Sequence, residues 1–130
     1  MVTKKIMGED SELSGRVIGA AIEVHREMGP GLLESIYQAC LEAELRASGI
    51  EFFSQHRLPL MYKGKELKEF FILDIYMPGR LVVELKAVEQ LLPIHEAQLL
   101  TYLKLSHTHL GLIINFNVAV LKNGLMRRIL

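Results

Sequence analysis

The order of apolar and polar positions predicts two helices at the start of the chain. Apolar residues recur at helical spacing over residues 11–28. Gly29-Pro30-Gly31 ends this helix, because glycine suits a helix C-terminus and proline cannot continue the helix. A second apolar stripe covers residues 32–48 and ends at Gly49. We therefore expect two helices joined by a short loop.

The period then changes to that of strands. Four segments are rich in strand-forming residues: residues 50–53, 57–62, 69–77 and 80–88. Pro59 predicts an edge strand or a bend, and Lys63-Gly64 predicts a turn. Pro78-Gly79 separates the last two segments and predicts a tight turn between antiparallel strands.

One more helix and a strand-rich ending complete the pattern. Pro93 suits a first helical position, and apolar residues carry the helix to about Leu105. Residues 110–116 predict a buried strand, and Asn123-Gly124 predicts a closing hairpin. This order predicts an α/β or α+β domain over residues 1–130, with a mixed central sheet flanked by helices.

Composition supports a folded chain and narrows its partners. The 130 residues are 50% hydrophobic and 23% charged, which suits a packed core better than disorder. Fifteen basic and fifteen acidic residues cancel, which disfavours nucleic-acid binding through bulk charge but not through a local basic patch. The lone Cys40 excludes an internal disulfide and a cysteine-based zinc site. With no apolar stretch of about 20 residues, we expect a cytoplasmic protein without a membrane segment.

Three charged residues interrupt the two most apolar strands: Asp74, Glu84 and Lys86. Glu84 and Lys86 are two positions apart, so they share one strand face. If that face is covered, each unpaired charge costs several kcal/mol, and a bound divalent cation would offset part of this cost. The alternative is an ordinary amphipathic strand whose charges face water.

The loop between these strands decides whether Asp74 meets Glu84. If Pro78 and Gly79 alone form the loop, the two carboxylates point to opposite faces. If Arg80 belongs to the loop as well, Asp74 pairs with Glu84 and both lie on one face. Three-residue hairpin loops are common, so a functional site predicts the longer loop or a bulge near this turn.

The spacing of these charges resembles a nuclease motif. Asp74, nine further residues and then Glu84-Leu85-Lys86 resemble the PD-(D/E)XK phosphodiesterase signature. Leu73 stands where the proline of that signature would be, which is a departure from the pattern.

Two further elements strengthen the resemblance and occur in the same order. Gly31, Glu34 and Tyr37 have the spacing of the GxxExxY family, a group of small bacterial proteins in the PD-(D/E)XK superfamily. Gln98 and Tyr102 resemble the Gln-x-x-x-Tyr element of the RecB-like branch. The resemblance covers nearly the whole chain and implies a restriction-endonuclease-like core.

This resemblance implies a metal-dependent nuclease acting on DNA or RNA. Asp74 and Glu84, aided by the Leu85 carbonyl, would bind Mg²⁺ or Mn²⁺. Lys86 would orient or activate the attacking water and stabilise charge on the phosphate. Glu34 would be a further acidic residue supplied by a preceding helix.

Gln98 and Tyr102 would position the substrate backbone or the carboxylates, with Leu99 and Leu103 packing elsewhere.

Without the resemblance, the helical candidate residues allow plainer structural roles. Glu34 in a first helical turn is favourable with the helix dipole. Tyr37, Gln98 and Tyr102 at helical spacing are also typical of packing positions.

His95, His107 and His109 are interpreted as surface or loop residues and His25 as a structural one. His56 and Arg57, with Arg80 and Lys104, would instead flank the site and contact phosphates.

Two functions of different classes therefore follow. The first is a nuclease. The alternative is a nuclease-fold module that binds nucleic acid or protein without cutting, which the neutral charge and small size favour. A homodimer or larger assembly would widen a small binding surface and supply specificity.

Overall fold

The computed structural model describes residues 8–130, with side chains from residue 11 onward, so residues 1–7 of the predicted domain lie outside the described part. Within it the chain forms three α-helices and five strands. The helices are α1 Gly8–Met28, α2 Glu34–Ala47 and α3 Pro93–Leu105. The strands are β1 Phe53–Tyr62, β2 Lys65–Met77, β3 Leu81–Lys86, β4 Leu110–Asn115 and β5 Leu125–Ile129.

The strands form one mixed sheet in the order β1-β2-β3-β4-β5, which confirms the predicted α+β class. Strands β3 and β4 are parallel and the other neighbours are antiparallel. Since a parallel pair needs a crossover, α3 provides the connection from β3 to β4. None of the described helices has the length and apolar character needed to cross a membrane.

Helices cover both faces of this sheet and create two apolar cores. The stripes of α1 and α2 pack on one face, against residues such as Val83 and Leu112. Helix α3 packs on the other face, against residues such as Val82 and Ile113. At Gly111 of β4, an added Cβ would lie 2.9 Å from a methyl group of Leu99, so the missing side chain lets α3 approach closely.

The loop between β2 and β3 has three residues, as a functional site required. Met77 pairs with Leu81, which leaves Pro78, Gly79 and Arg80 in the loop. Gly79 has a φ of +72°, a left-handed conformation that glycine adopts without steric cost. This register places Asp74 opposite Glu84.

The regular alternation of side chains reverses along β1 and β2 near Asp74. Leu73 and Tyr76 belong to the same α3-side core although they are three positions apart, whereas Ile75 faces α1 and α2. Gln55, which lies opposite Asp74 in β1, has a φ of +48°. A residue in the left-handed region turns the strand locally, so the sheet is distorted where the predicted site lies.

The first hairpin is longer than the sequence predicted. Lys63 and Gly64 both have positive φ, at +49° and +78°, the combination that a two-residue type I′ turn requires. This turn brings Lys65 opposite Tyr62 and extends the ladder over residues 65–68. Strands β1 and β2 therefore remain paired beyond the apolar segments that predicted them.

The predicted hairpin around Asn123-Gly124 is wrong. These residues lie in a 3-10 turn, Leu121–Gly124, and β5 pairs instead with β4. The reason is a close backbone approach, since a Cβ on Gly124 would lie only 2.1 Å from the Asn115 carbonyl oxygen. Glycine is therefore needed here for contact with the end of β4 rather than for a hairpin turn.

Candidate active site

The β2–β3 ladder ends where Asp74 faces Glu84, and side chains replace the ladder bonds there. The last backbone pair is Ile75 with Val83. Beyond it, the Asp74 N–H donates to Glu84 Oε2 at 2.9 Å. The Leu85 N–H donates to Asp74 Oδ2 at 2.8 Å. Each carboxylate is thus held by the backbone of the neighbouring strand.

Glu84 is a buried acid with a strongly shifted pKa. The residue is 5% exposed, and burial and then the charge of Asp74 raise its pKa from 4.5 to about 8. The Asp74 N–H and the Lys86 charge act in the opposite direction but more weakly. Glu84 is therefore mostly protonated near pH 7 when no metal ion lies beside it.

Lys86 and Glu34 belong to the same electrostatic cluster. Lys86 is half-buried at the end of β3, and its charge lowers the pKa of both Glu34 and Glu84. Glu34 is the first residue of α2, and burial and then Asp74 raise its pKa. The structure thus brings four of the predicted site residues within electrostatic reach of one another.

The two residues of α3 differ in their surroundings. Tyr102 is buried, and its pKa is raised by burial and then by Glu84 and Asp74, so its ring lies near the carboxylates. Tyr102 packs in the same core as Leu99 and Leu103, so the predicted separation of these residues is wrong. Gln98 is exposed one turn earlier.

Comparison with known protein families gives a match over most of the chain. A family model described as the PD-(D/E)XK nuclease superfamily matches residues 11–129. The chain belongs to this superfamily. Its members are generally nucleases, typically with divalent metals, so a nuclease-type function and a nucleic-acid substrate follow in general terms. Searches of curated proteins and of solved structures found no significant match.

The donor set of this PD-(D/E)XK chain suits a hard cation. Asp74 and Glu84 offer carboxylate oxygens, and Leu85 offers a backbone carbonyl between Glu84 and Lys86. Such oxygens suit Mg²⁺ or Mn²⁺, and Mg²⁺ retains several of its own waters. Among the side chains of residues 11–130, no group of three or more His, Cys, Asp or Glu is arranged to hold a metal. Two carboxylates are thus the side-chain part of the candidate metal site.

Two glutamines that no sequence pattern singled out hold Asp74. Gln38 Nε2 donates to the Asp74 carbonyl at 2.9 Å, and Gln55 Nε2 donates to Asp74 Oδ1 at 3.1 Å. Gln38 lies four residues after Glu34, on the same face of α2, which is a spacing that could have identified it. Gln55 gives no such pattern, because its contact depends on the left-handed turn in β1.

A second layer of polar side chains supports Gln38. Gln38 also donates to Glu42 at 2.6 Å, and Glu42 accepts from Ser54 at 2.6 Å and from Arg46 at 2.9 Å. Burial favours the neutral form of Glu42, but its three hydrogen-bond donors together lower its pKa. This network connects α2 to the edge strand β1 beside Asp74.

Tyr37 of the GxxExxY segment has a packing role. Its ring stacks on Phe116 with centroids 4.4 Å apart, and it is fully buried. Its hydroxyl donates to the Gly29 carbonyl at 2.6 Å and accepts from the Leu32 N–H at 3.2 Å. Tyr37 therefore fixes the loop that places Glu34 at the start of α2.

The segment after Lys86 is fixed by a buried asparagine. Asn115 Oδ1 accepts from the Val88 N–H at 3.1 Å, and its Nδ2 donates to the Val88 carbonyl at 2.9 Å. The Phe116 N–H donates to the Lys86 carbonyl at 3.0 Å. The ends of β3 and β4 are thus tied together beside the candidate active site.

Three histidines contact backbone groups, and His25 was predicted to be structural. His25 of α1 contacts the Val118 carbonyl at 2.7 Å. His95 accepts from the Leu92 N–H at 2.9 Å and so caps the start of α3. His109 lies 3.1 Å from the Leu130 carbonyl. These contacts are with backbone groups rather than with the acidic cluster.

Proposed function

We propose that the protein hydrolyses phosphodiester bonds of nucleic acid in a reaction that requires Mg²⁺ or Mn²⁺. The juxtaposition of Asp74, Glu84 and Lys86 at the end of the β2–β3 ladder carries this proposal. Asp74 and Glu84 would hold the ion, together with the Leu85 carbonyl. When bound, such an ion polarises a phosphoryl oxygen and lowers the pKa of a water molecule.

The chain's own residues supply the remaining electrostatic groups. Lys86 would orient the attacking water and stabilise the negative charge that develops on the phosphate. Its ammonium lies beside the carboxylates, so we assign it the role of orienting the water rather than of abstracting a proton. Tyr102, near Glu84 and Asp74, and Gln98 would position the carboxylates or the substrate backbone.

Several finer assignments belong to the same proposal. The spacing of Gly31, Glu34 and Tyr37 supports membership of the GxxExxY family within the superfamily. We further propose that residues 1–130 form one domain that acts in the cytoplasm. Further copies of the chain, or another subunit, would enlarge its small substrate-binding surface.

A non-cleaving module that binds nucleic acid or protein is the second candidate function. Two observations favour it: the described residues offer no cluster of three metal-holding side chains, and the formal net charge is zero. Such a protein would keep the fold and the surface of a nuclease without supporting hydrolysis.

A cleavage assay with matched variants distinguishes these functions. Supercoiled plasmid, circular single-stranded DNA and RNA are incubated with the protein in Mg²⁺, Mn²⁺ or EDTA. We expect cleavage of at least one substrate with either metal, none with EDTA, and none by Glu84→Gln. Lys86→Ala should lose activity by a factor on the order of 100 or more.

Lys122→Ala is the control, because it removes an exposed lysine from the 3-10 turn. It should cleave like the wild type. Intact substrates under every condition would contradict the nuclease proposal. Equal activity of Lys86→Ala and Lys122→Ala would contradict the role given to Lys86.

A further inference from the structure

None of the described helices covers the outer half of the β1–β2 hairpin. All residues from 61 to 70 are exposed, and β1 forms the edge of the sheet. Several of the exposed side chains are large and apolar: Met61, Tyr62, Leu67, Phe70 and Ile72. Such a concentration of apolar side chains on one projecting element indicates an interaction surface.

Cations lie over two aromatic rings of this hairpin. The Arg57 guanidinium is 4.2 Å from the centre of the Phe70 ring, and the Lys63 ammonium is 5.5 Å from that of Tyr62. Residues 57–71 contain four basic and two acidic side chains, a net charge of +2 in a chain whose formal charge is zero. The surface therefore combines flat apolar rings with positive charge.

This surface lies a few residues from Asp74 along β2, on the face of the sheet opposite to Glu84. Leu58 and Phe71 belong to the α3-side core, so Arg57, Phe70 and Ile72 face the opposite side, the side of α2. Ile72 and Phe70 are two and four residues from Asp74, or about 7 and 13 Å along an extended strand. We call Arg57, Phe70 and Ile72 the hairpin stripe.

We propose that the hairpin stripe binds an unpaired strand of nucleic acid, as the substrate of the proposed nuclease. This inference rests on the proposed function and adds a substrate class to it. Aromatic rings and guanidinium planes stack on bases whose faces are free, and a duplex hides those faces except at its ends. A chain of zero net charge lacks the bulk positive charge that grips duplex phosphates.

Binding without cleavage provides the test. The anisotropy of a fluorescently labelled oligothymidylate is measured in EDTA with the wild type, Phe70→Ala, Phe70→Tyr and Arg57→Ala. Phe70→Ala should weaken binding about 5- to 150-fold, the range for losing one base–aromatic stack. Phe70→Tyr should bind like the wild type because it retains the ring.

Ile94→Ala is the matched control, because Ile94 is 67% exposed and lies on α3, which covers the face of the sheet opposite the hairpin stripe. It should bind like the wild type. Thermal melting of each variant shows whether it is folded. A blunt duplex of the same length should bind more weakly than the single strand and should show little loss with Phe70→Ala.

Four results would overturn this inference. The first two are that the wild type does not bind the single strand, or that Phe70→Ala and Arg57→Ala both bind it with wild-type affinity. The third is that the duplex binds as tightly as the single strand. The fourth is that light scattering shows a dimer, which Phe70→Ala abolishes. The last would assign the stripe to a second copy of the chain.

The same measurements separate this inference from the proposed function. Single-strand binding that depends on Phe70, with no cleavage in Mg²⁺ or Mn²⁺, would support the stripe and contradict the nuclease proposal. Cleavage with oligonucleotide binding that neither Phe70→Ala nor Arg57→Ala changes would do the reverse.

Discussion

Glu84 links the candidate chemistry to the stability of the fold. It is nearly fully buried, and its close neighbour Asp74 is also an acid. Burial and this neighbour raise its pKa to about 8, so ionising Glu84 opposes folding of the metal-free protein. An acid kept in so unfavourable a place, with a second carboxylate beside it, is more typical of a cation site than of a packing position.

We expect the metal-free protein to lose stability as the pH rises from about 5 to about 8. Glu84 binds its proton more tightly when folded, with a pKa raised from 4.5 to about 8. Its stabilising contribution is therefore complete below the unfolded pKa and is lost as the pH rises through the folded pKa. The loss is on the order of a few kcal/mol, at about 1.4 kcal/mol per pKa unit. Urea unfolding in EDTA across this range measures it.

Glu84→Gln should remove this dependence, because an amide does not titrate and can still accept the Asp74 N–H. Glu96→Gln is a control with the opposite sign. Arg128 lowers the pKa of Glu96, so its contribution is lost only as the pH falls. Parallel stability curves for the wild type and Glu84→Gln between pH 5 and 8 would contradict the assigned pKa.

At the scale of the strand, Gln55 combines an unusual backbone with a contact to Asp74. Its φ of +48° costs a residue with a Cβ about 1–2 kcal/mol. Its side chain donates to Asp74 Oδ1 at 3.1 Å. The same residue thus turns β1 and supports the carboxylate, and backbone strain of this kind is typical of functional sites.

We expect Gln55→Gly to be more stable than Gln55→Ala by about 1 kcal/mol. Both variants lose the contact to Asp74, so their difference isolates the backbone effect. Free energies of unfolding in urea measure it. Glycine and alanine substitutions at Gln98, in the middle of α3, should show the opposite order of stability. The alanine variant should be more stable by about 1 kcal/mol, because alanine favours a helix. Equal stability of the two Gln55 variants would show that β1 is not strained there.

The turn before β5 depends on a glycine for its contact with β4. A Cβ on Gly124 would lie 2.1 Å from the Asn115 carbonyl oxygen, so Gly124→Ala requires the backbone to move. We expect it to lower the free energy of unfolding by about 1–3 kcal/mol. Gly15 in α1 has open space around it, so Gly15→Ala should raise stability by up to about 1 kcal/mol. Thermal and urea unfolding compare the two variants, and equal effects would contradict this account.

At the scale of the whole molecule, the sequence predicted the helices and the register between β2 and β3 better than it predicted contacts between distant segments. Pro93 and the glycines at 29 and 49 marked where helices begin or end, because these residues have few conformational alternatives. The Pro78-Gly79 turn left two registers, and only the one that joined Asp74 to Glu84 suited a site. The structure has that register.

Other features depended on contacts between distant segments. The backbone of Gly124 comes close to that of Asn115, which lies earlier in the chain. No local sequence pattern distinguishes this close approach from a hairpin turn. The contacts of Gln38 and Gln55 with Asp74 arise only when α2 and β1 meet β2. Tertiary packing overrides local preference in such places.

Addition of metal tests the whole molecule through its stability. If Asp74 and Glu84 hold a divalent ion only when folded, Mg²⁺ or Mn²⁺ at 100 times its dissociation constant should raise the free energy of unfolding by about 2.7 kcal/mol. At one fixed metal concentration the increase should be larger at pH 8 than at pH 6, because Glu84 must lose its proton to bind the ion. Urea unfolding with each metal is compared with NaCl at equal ionic strength.

The variants separate binding from turnover in this experiment. Asp74→Asn and Glu84→Gln should lose the metal-dependent increase, and Glu96→Gln should retain it, because Glu96 pairs with Arg128 instead. Lys86→Ala should also retain it while losing cleavage, since Lys86 is cationic and does not hold the ion. A free energy of unfolding that neither metal changes would show that Asp74 and Glu84 bind no ion. The acidic cluster would then be a remnant of the nuclease site, and the protein a module that binds without cutting.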